Sequence, residues 1–96
     1  MDKIKEMQIL LAKIPKSKVS TYKILAKKLK IHPRAVGILL SKNPDKNKYP
    51  CYKIVCSNGS LGGYALGIKD KIKKLKEDGI KIKNNKINLK KYLFKF

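Results

Sequence analysis

A chain of 96 residues with 43% hydrophobic content supports one small folded domain, 1–96, and no second one. Its 25 Lys and Arg against 6 Asp and Glu give a net charge of +19; so compact a cation calls for a polyanion, with nucleic acid ahead of an anionic membrane surface, although a lysine-biased genome or a thermophilic habit would raise the count by itself. No apolar run approaches the ~20 residues of a membrane span, the N-terminus lacks the apolar stretch of a secretory signal, and two cysteines with one histidine make neither a disulfide framework nor a zinc site, so an intracellular protein with reduced thiols is expected.

In chain order, residues 2–13 predict an amphipathic helix with Ile4, Met7, Leu10 and Leu11 at helical spacing, Asp2 as N-cap and Pro15 as terminator. Lys16-Ser17-Lys18 is a turn, and Val19-Ser20 a short extended link. Thr21 caps a second helix over about 22–30, with Ile24, Leu25, Ala26 and Leu29 inward. Ile31-His32 is a tight connection, and Pro33 suits the first turn of a third helix that ends before Asn43-Pro44. Two short helices joined this way form a helix-turn-helix pattern. Gly37 costs that third helix about 1 kcal/mol relative to alanine, which implies close approach of another backbone, protein or nucleic acid. Residues 43–49 read as a polar loop and 61–67 as a glycine-rich one. Residues 68–78 predict a last helix with Ile68, Ile72 and Leu75 on one face and lysines on the other, closed by Gly79. The tail alternates Lys and Asn with apolar residues and is expected to dock a short strand or helix on the core.

The stretch Tyr49-Pro50-Cys51-Tyr52-Lys53-Ile54-Val55-Cys56 is the candidate reactive segment. Pro50 stiffens the backbone that leads into Cys51. Lys53 to Cys56 alternates polar and apolar, and Ser57-Asn58-Gly59-Ser60 is a turn signal. A thiol at such a point is either a presented nucleophile or a small buried hydrophobe. Taken alone, the octapeptide favours the second. Arg34, the single arginine among 25 cations, is the one planar, stackable cation in a chain that otherwise uses lysine.

Taken together, these segments resemble the C-terminal, DNA-binding domain of the O6-alkylguanine-DNA alkyltransferases, which the alkyltransferase-like proteins share. The resemblance covers about residues 4–80. It rests on Ile14-Pro15 with Val19-Ser20-Thr21-Tyr22, on Arg34-Ala35-Val36-Gly37, on Asn43-Pro44, on Pro50-Cys51, and on Val55-Cys56-Ser57-Asn58-Gly59-Ser60-Leu61-Gly62-Gly63-Tyr64. It implies a mainly α fold with a small β-hairpin, a winged-helix-like helix-turn-helix domain with a core over about 4–83 and a tail over 84–96. It also implies that Cys51 accepts an alkyl group from O6-alkylguanine in double-stranded DNA, once per molecule and without a cofactor or metal. Tyr22 would crowd the rotating phosphate and donate to the flipped base, and Arg34 would fill the vacated stack. Thr21, Ala35, Gly37 and Lys42 would lie with Tyr22 and Arg34 along a minor-groove surface. Asn43 would hold the turn carrying the site. Pro50, Val55, Gly63, Tyr64 and Ala65 would wall the base pocket, where only an extruded base exposes its alkyl carbon.

Three departures qualify the resemblance. The family's histidine and arginine after the cysteine are replaced by Tyr52 and Lys53. Tyrosine, with a pKa of about 10, is a poor base near neutrality. Asp78, or Glu77 beside it, would be the acidic residue that backs the histidine in the family. His32 stands before the recognition helix, far from Cys51 by the family topology. The chain has the length of the alkyltransferase-like proteins, which bind damage without repairing it, yet it keeps the cysteine they lack. Ala65 stands where many members have serine. The reading is therefore a suicide-type methyltransferase with Cys51, Tyr22, Tyr52 and Asp78 at the site and cations such as Lys53 lowering the thiol pKa. The alternative is a non-catalytic lesion sensor. Cys56 is read as packing or a weak neighbour. A monomer in the cytoplasm at the nucleoid, or in a nucleus, with no membrane association, is expected.

Overall fold

A computed structural model describes residues 2–43, 49–62 and 67–96. Helix α1 (Lys3–Lys13) starts where the Asp2 carboxylate accepts from the Ile4 N–H at 2.9 Å. Its apolar stripe buries Met7 and Leu11. A two-residue strand β1 (Ser20–Thr21) leads into α2 (Tyr22–Leu29), where the Thr21 hydroxyl accepts from the Ile24 N–H at 3.1 Å. Lys30, in the left-handed region (φ 59°), ends that helix. Helix α3 (Pro33–Ser41) follows at once, with proline at its first position and His32 Nδ1 accepting from the Arg34 N–H at 3.1 Å. The caps expected from Asp2, Thr21 and Pro33 are all present.

Cys51–Lys53 form a 3₁₀ turn that feeds strand β2 (Ile54–Val55). Strands β1 and β2 pair in parallel, Ser20 opposite Ile54 and Thr21 opposite Val55. This pairing sets the cysteine segment beside the first turn of α2. The reversal at 56–60 closes through Cys56 N–H to Ser60 O at 2.8 Å. It is a tight turn without a two-strand ladder. The paired hairpin lies later, in β3 (Ile82–Lys83) and β4 (Lys86–Ile87). Asn84 and Asn85 both take positive φ at its tip, as a two-residue loop with the right twist requires.

Helix α4 (Ile68–Glu77) ends in a Schellman arrangement. Gly79 N–H donates to Lys76 O and Ile80 N–H to Leu75 O, both at 3.0 Å. Gly79 sits at φ 87°, and a Cβ there would meet Ser17 Oγ at 2.8 Å, so any other residue would be strained at this position. The short α5 (Leu89–Tyr92) follows β4, and the tail beyond it is tied to residue 19. Two apolar clusters result. One gathers Met7, Leu11, Leu25, Leu29, Val36 and Leu40 with Cys51 and Ile54. The other gathers Val19, Val55, Leu61, Leu75, Ile80 and Tyr92. The segment from Cys51 to Val55 threads between them. Among the described residues no helix is long and apolar enough to cross a membrane.

Candidate functional site

The cysteine is held by backbone geometry from its N-terminal side. Tyr49 O accepts from the Cys51 N–H at 2.8 Å and from Asn43 Nδ2 at 2.9 Å. Asn43 is buried at the end of α3, so one amide side chain ties that helix to the turn that carries the thiol. Cys51 is 3% exposed and packs in the first cluster, with Tyr22 and Tyr49 at that cluster's edge.

Tyr22, the first residue of α2, projects to the same region. Gly62 lies directly on it: a Cβ at residue 62 would stand 2.9 Å from the Tyr22 ring, 3.0 Å from its hydroxyl oxygen and 3.4 Å from Cys56 Sγ. The phenol and the second thiol therefore share one wall. Burial, and then the proximity of Cys56 and Cys51, push the Tyr22 pKa up, so the hydroxyl keeps its proton.

The residue that completes this wall is Lys71. It is 0% exposed. Its ammonium donates to Ile54 O at 2.7 Å and to Leu61 O, and it lies 5.9 Å from the centroid of the Tyr22 ring. Burial lowers its pKa to about 8, while Cys56 and Cys51 pull the other way. A cation that is still charged near neutrality thus sits within electrostatic reach of both thiols and the phenol. The sequence reading assigned the lysines of α4 to its solvent face. The spacing held the signal that corrects this: 68, 71, 72 and 75 form one helical stripe, and Lys71 lies on it.

Other residues expected at the site are engaged in the fold. Lys53 is not free to act on the thiol. Its ammonium pairs with Asp78 Oδ2 at 2.9 Å and donates to Pro15 O at 2.9 Å. Asp78 is bound into the same knot, accepting from Ser17 N–H at 2.9 Å through its carboxylate and from Ser17 Oγ at 2.7 Å through its carbonyl. Thr21 is buried with its hydroxyl used as a cap, so it does not lie on an open surface. Val55 is fully buried in the second cluster. Tyr52 is half-buried and lines a polar cavity of about 240 Å³ with Lys74, Glu77 and Asp78. Its burial, followed by Asp78 and Glu77, raises its pKa, so it stands at neutral pH as an un-ionised phenol.

Arg34, Gly37, Ile38 and Lys42 emerge on the free side of α3. Arg34 and Lys42 are exposed, Ile38 is 59% exposed, and nothing lies within 4 Å of a Cβ built on Gly37. Among the described residues no backbone explains that glycine. Ala35 is half-buried at the edge of this face, and Pro50 is half-buried beside the cysteine. Gly63, Tyr64 and Ala65 fall outside the described residues. His32 caps α3 on the exposed side and is no part of the thiol's surroundings. Among the described residues no group of His, Cys, Asp and Glu could hold a metal ion.

Residues 4–80 match the sequence model of the 6-O-methylguanine DNA methyltransferase, DNA binding domain. The chain belongs to this family. It is 51% identical over 87 residues to a bifunctional methyltransferase/endonuclease of Picrophilus torridus, which covers 88% of this chain and 29% of that protein. It is 49% identical over 70 residues to a methylated-DNA–protein-cysteine methyltransferase of Saccharolobus solfataricus, covering 73% of this chain and 46% of that one. The chain thus spans less than half the length of these curated relatives. The O6-methylguanine-DNA methyltransferase of Pyrococcus kodakaraensis superposes with a TM-score of 0.76 at 33% identity, over 83% of this chain and 47% of that one. Atl1 of S. pombe, solved with damaged DNA containing O6-carboxymethylguanine, gives 0.85 over 98% and 95% of the two chains. At 23% identity this last likeness speaks to the fold alone. The mainly helical, helix-turn-helix architecture read from the sequence is the methyltransferase-family architecture.

Proposed function

We infer that this methyltransferase-family domain repairs DNA directly, moving the alkyl group of O6-alkylguanine onto Cys51 in a single turnover. The arrangement of Cys51 beside Tyr22 and the buried Lys71 carries the reading. The Cys51 thiolate attacks the alkyl carbon, the S–C bond forms, and the C–O6 bond breaks with its electron pair going to the purine. The purine anion takes a proton from the Tyr22 hydroxyl or from water, and a thioether remains on the protein. Lys71 places a fixed positive charge where negative charge passes from sulfur to purine to phenol, and burial makes that charge effective. The exposed side of α3 suits the minor groove. Gly37 admits close approach, Ile38 offers an apolar wedge, and Arg34 offers a flat cation to fill the stack. The reaction consumes no cofactor. The domain acts as a monomer in whichever compartment holds the DNA.

One observation favours the second reading, a lesion sensor without transfer. Tyr52 replaces the family's histidine, and the nearby acid Asp78 is occupied by Lys53 and Ser17. No proton relay of the histidine type is available there. Incubation with duplex DNA carrying a labelled O6-methyl group separates the two. Label recovered on the Cys51 peptide, and lost in Cys51→Ala, supports transfer. Tight lesion binding without label assigns the sensor role.

A further inference from the structure

The outer arc of α2 carries charge that the thiol site does not use. Leu25, Ala26 and Leu29 turn into the core. At 100° per residue, Lys23 and Lys27 fall away from that face, and Lys30 follows as the left-handed cap just past the last turn. The C-terminal tail runs beside it, held by Val19 N–H to Tyr92 O at 2.8 Å and Phe94 N–H to Val19 O at 2.7 Å. Between helix and tail lies a groove of about 720 Å³. Five lysines line it, Lys95 of the tail among them, and Ile24 and Phe96 give it an apolar surface. No aspartate or glutamate side chain lines it, and among the described residues none of the five lysines is in an ion pair. The Phe96 ring stands edge-on to Phe94, with centroids 5.4 Å apart, and is partly exposed where it packs at the edge of the first apolar cluster.

A row of unpaired ammonium groups by itself fits any polyanion. A braced aromatic ring in the same groove narrows the choice. A duplex keeps its base faces stacked inside and offers the ring nothing. An acidic peptide would need aromatic side chains set between its carboxylates. Every nucleotide of an unpaired strand carries both a phosphate and a flat base. We propose that this groove binds a single-stranded nucleic-acid segment, the α2 lysines and Lys95 taking phosphates and Phe96 stacking a base. It forms a second nucleic-acid contact besides the α3 face and does not depend on alkyl transfer.

Fluorescence anisotropy with a short labelled oligothymidylate, against an unmodified duplex of equal length, tests this. Phe96→Leu keeps apolar volume against Phe94 but removes the ring. It weakens single-strand binding about tenfold and leaves duplex binding within about twofold. The triple variant Lys23→Gln, Lys27→Gln, Lys30→Gln flattens the slope of log affinity against log salt by about 2 for the single strand. Circular dichroism confirms that both variants fold. Single-strand affinity untouched by both variants overturns the proposal. So does equal weakening of the duplex, which would make the groove a track for duplex phosphates. A glutamate- and phenylalanine-containing peptide that binds the groove where the oligonucleotide does not would reassign it to a protein partner.

Discussion

Replacing Lys71 with methionine separates what this residue does for the fold from what it does for chemistry. The folded-state pKa of about 8, against an ordinary 10.5, means that burial disfavours the ammonium by about 3 kcal/mol at neutral pH, at 1.36 kcal/mol per pKa unit. Methionine removes that cost and fills similar space. It also strands the carbonyls of Ile54 and Leu61, which the ammonium now satisfies, at about 1–3 kcal/mol each. The two contributions largely cancel, so Lys71→Met changes stability at pH 7 by no more than about 3 kcal/mol. The pH dependence follows from the sign of the shift. Between about pH 8 and 10.5 the unfolded chain holds a proton on Lys71 that the folded chain has lost. Wild-type stability therefore rises with pH across that window, and the variant lacks the rise. Reactivity behaves differently. Losing one nearby cation raises a thiol pKa by about one unit or more, which cuts the thiolate at pH 7 about tenfold. Loss of leaving-group stabilisation adds to this, giving a rate about 10- to 100-fold lower. Single-turnover transfer from a labelled O6-methylguanine duplex, followed from pH 6 to 9.5 alongside urea denaturation, measures both. Wild type shows a bell whose falling limb lies near pH 8, as Lys71 deprotonates, and Lys71→Met loses that limb. A variant that transfers at the wild-type rate with an unchanged profile refutes the role given to Lys71.

Other variants probe the rest of the site. Tyr52→Phe leaves the transfer rate within about twofold, because a phenol with a raised pKa is already proton-bound at neutrality; a hundredfold loss would put Tyr52 in the proton path. Lys53→Met leaves the partly buried Asp78 without its cation and costs about 1–3 kcal/mol in urea denaturation, and adding Asp78→Asn recovers part of it; an unchanged midpoint would mean that the Lys53–Asp78 contact is idle. Gly37→Ala has opposite effects on two readouts. It stabilises the fold by about 1 kcal/mol, since the space around it is open, yet it weakens duplex binding; affinity equal to wild type would remove Gly37 from the DNA face.

Much of this protein was written locally. Asp2, Thr21, Pro33 and Gly79 marked helix ends because capping depends on residues within one turn of chain. The order of the motifs around Arg34, Asn43 and Pro50-Cys51 identified the family. The wall around the thiol was not legible in the same way. The apolar stripe of α4 contains Lys71, but a stripe says only which face turns inward. It does not say that the carbonyls of Ile54 and Leu61, 17 and 10 residues away along the chain, stand ready to receive an ammonium there. Lys53 and Asp78 meet across 25 positions, and the parallel pairing of Ser20 with Ile54 spans 34. Such contacts arise only when helices close around a common core, because burial of charge is tolerable only where distant backbone and side chains converge to satisfy it. The sequence by itself determined the helices, their ends and the family, because each rests on residues close together along the chain. The tertiary structure decided which lysine is buried beside the two cysteines and which is paired with Asp78, because both depend on partners brought together from distant parts of the chain.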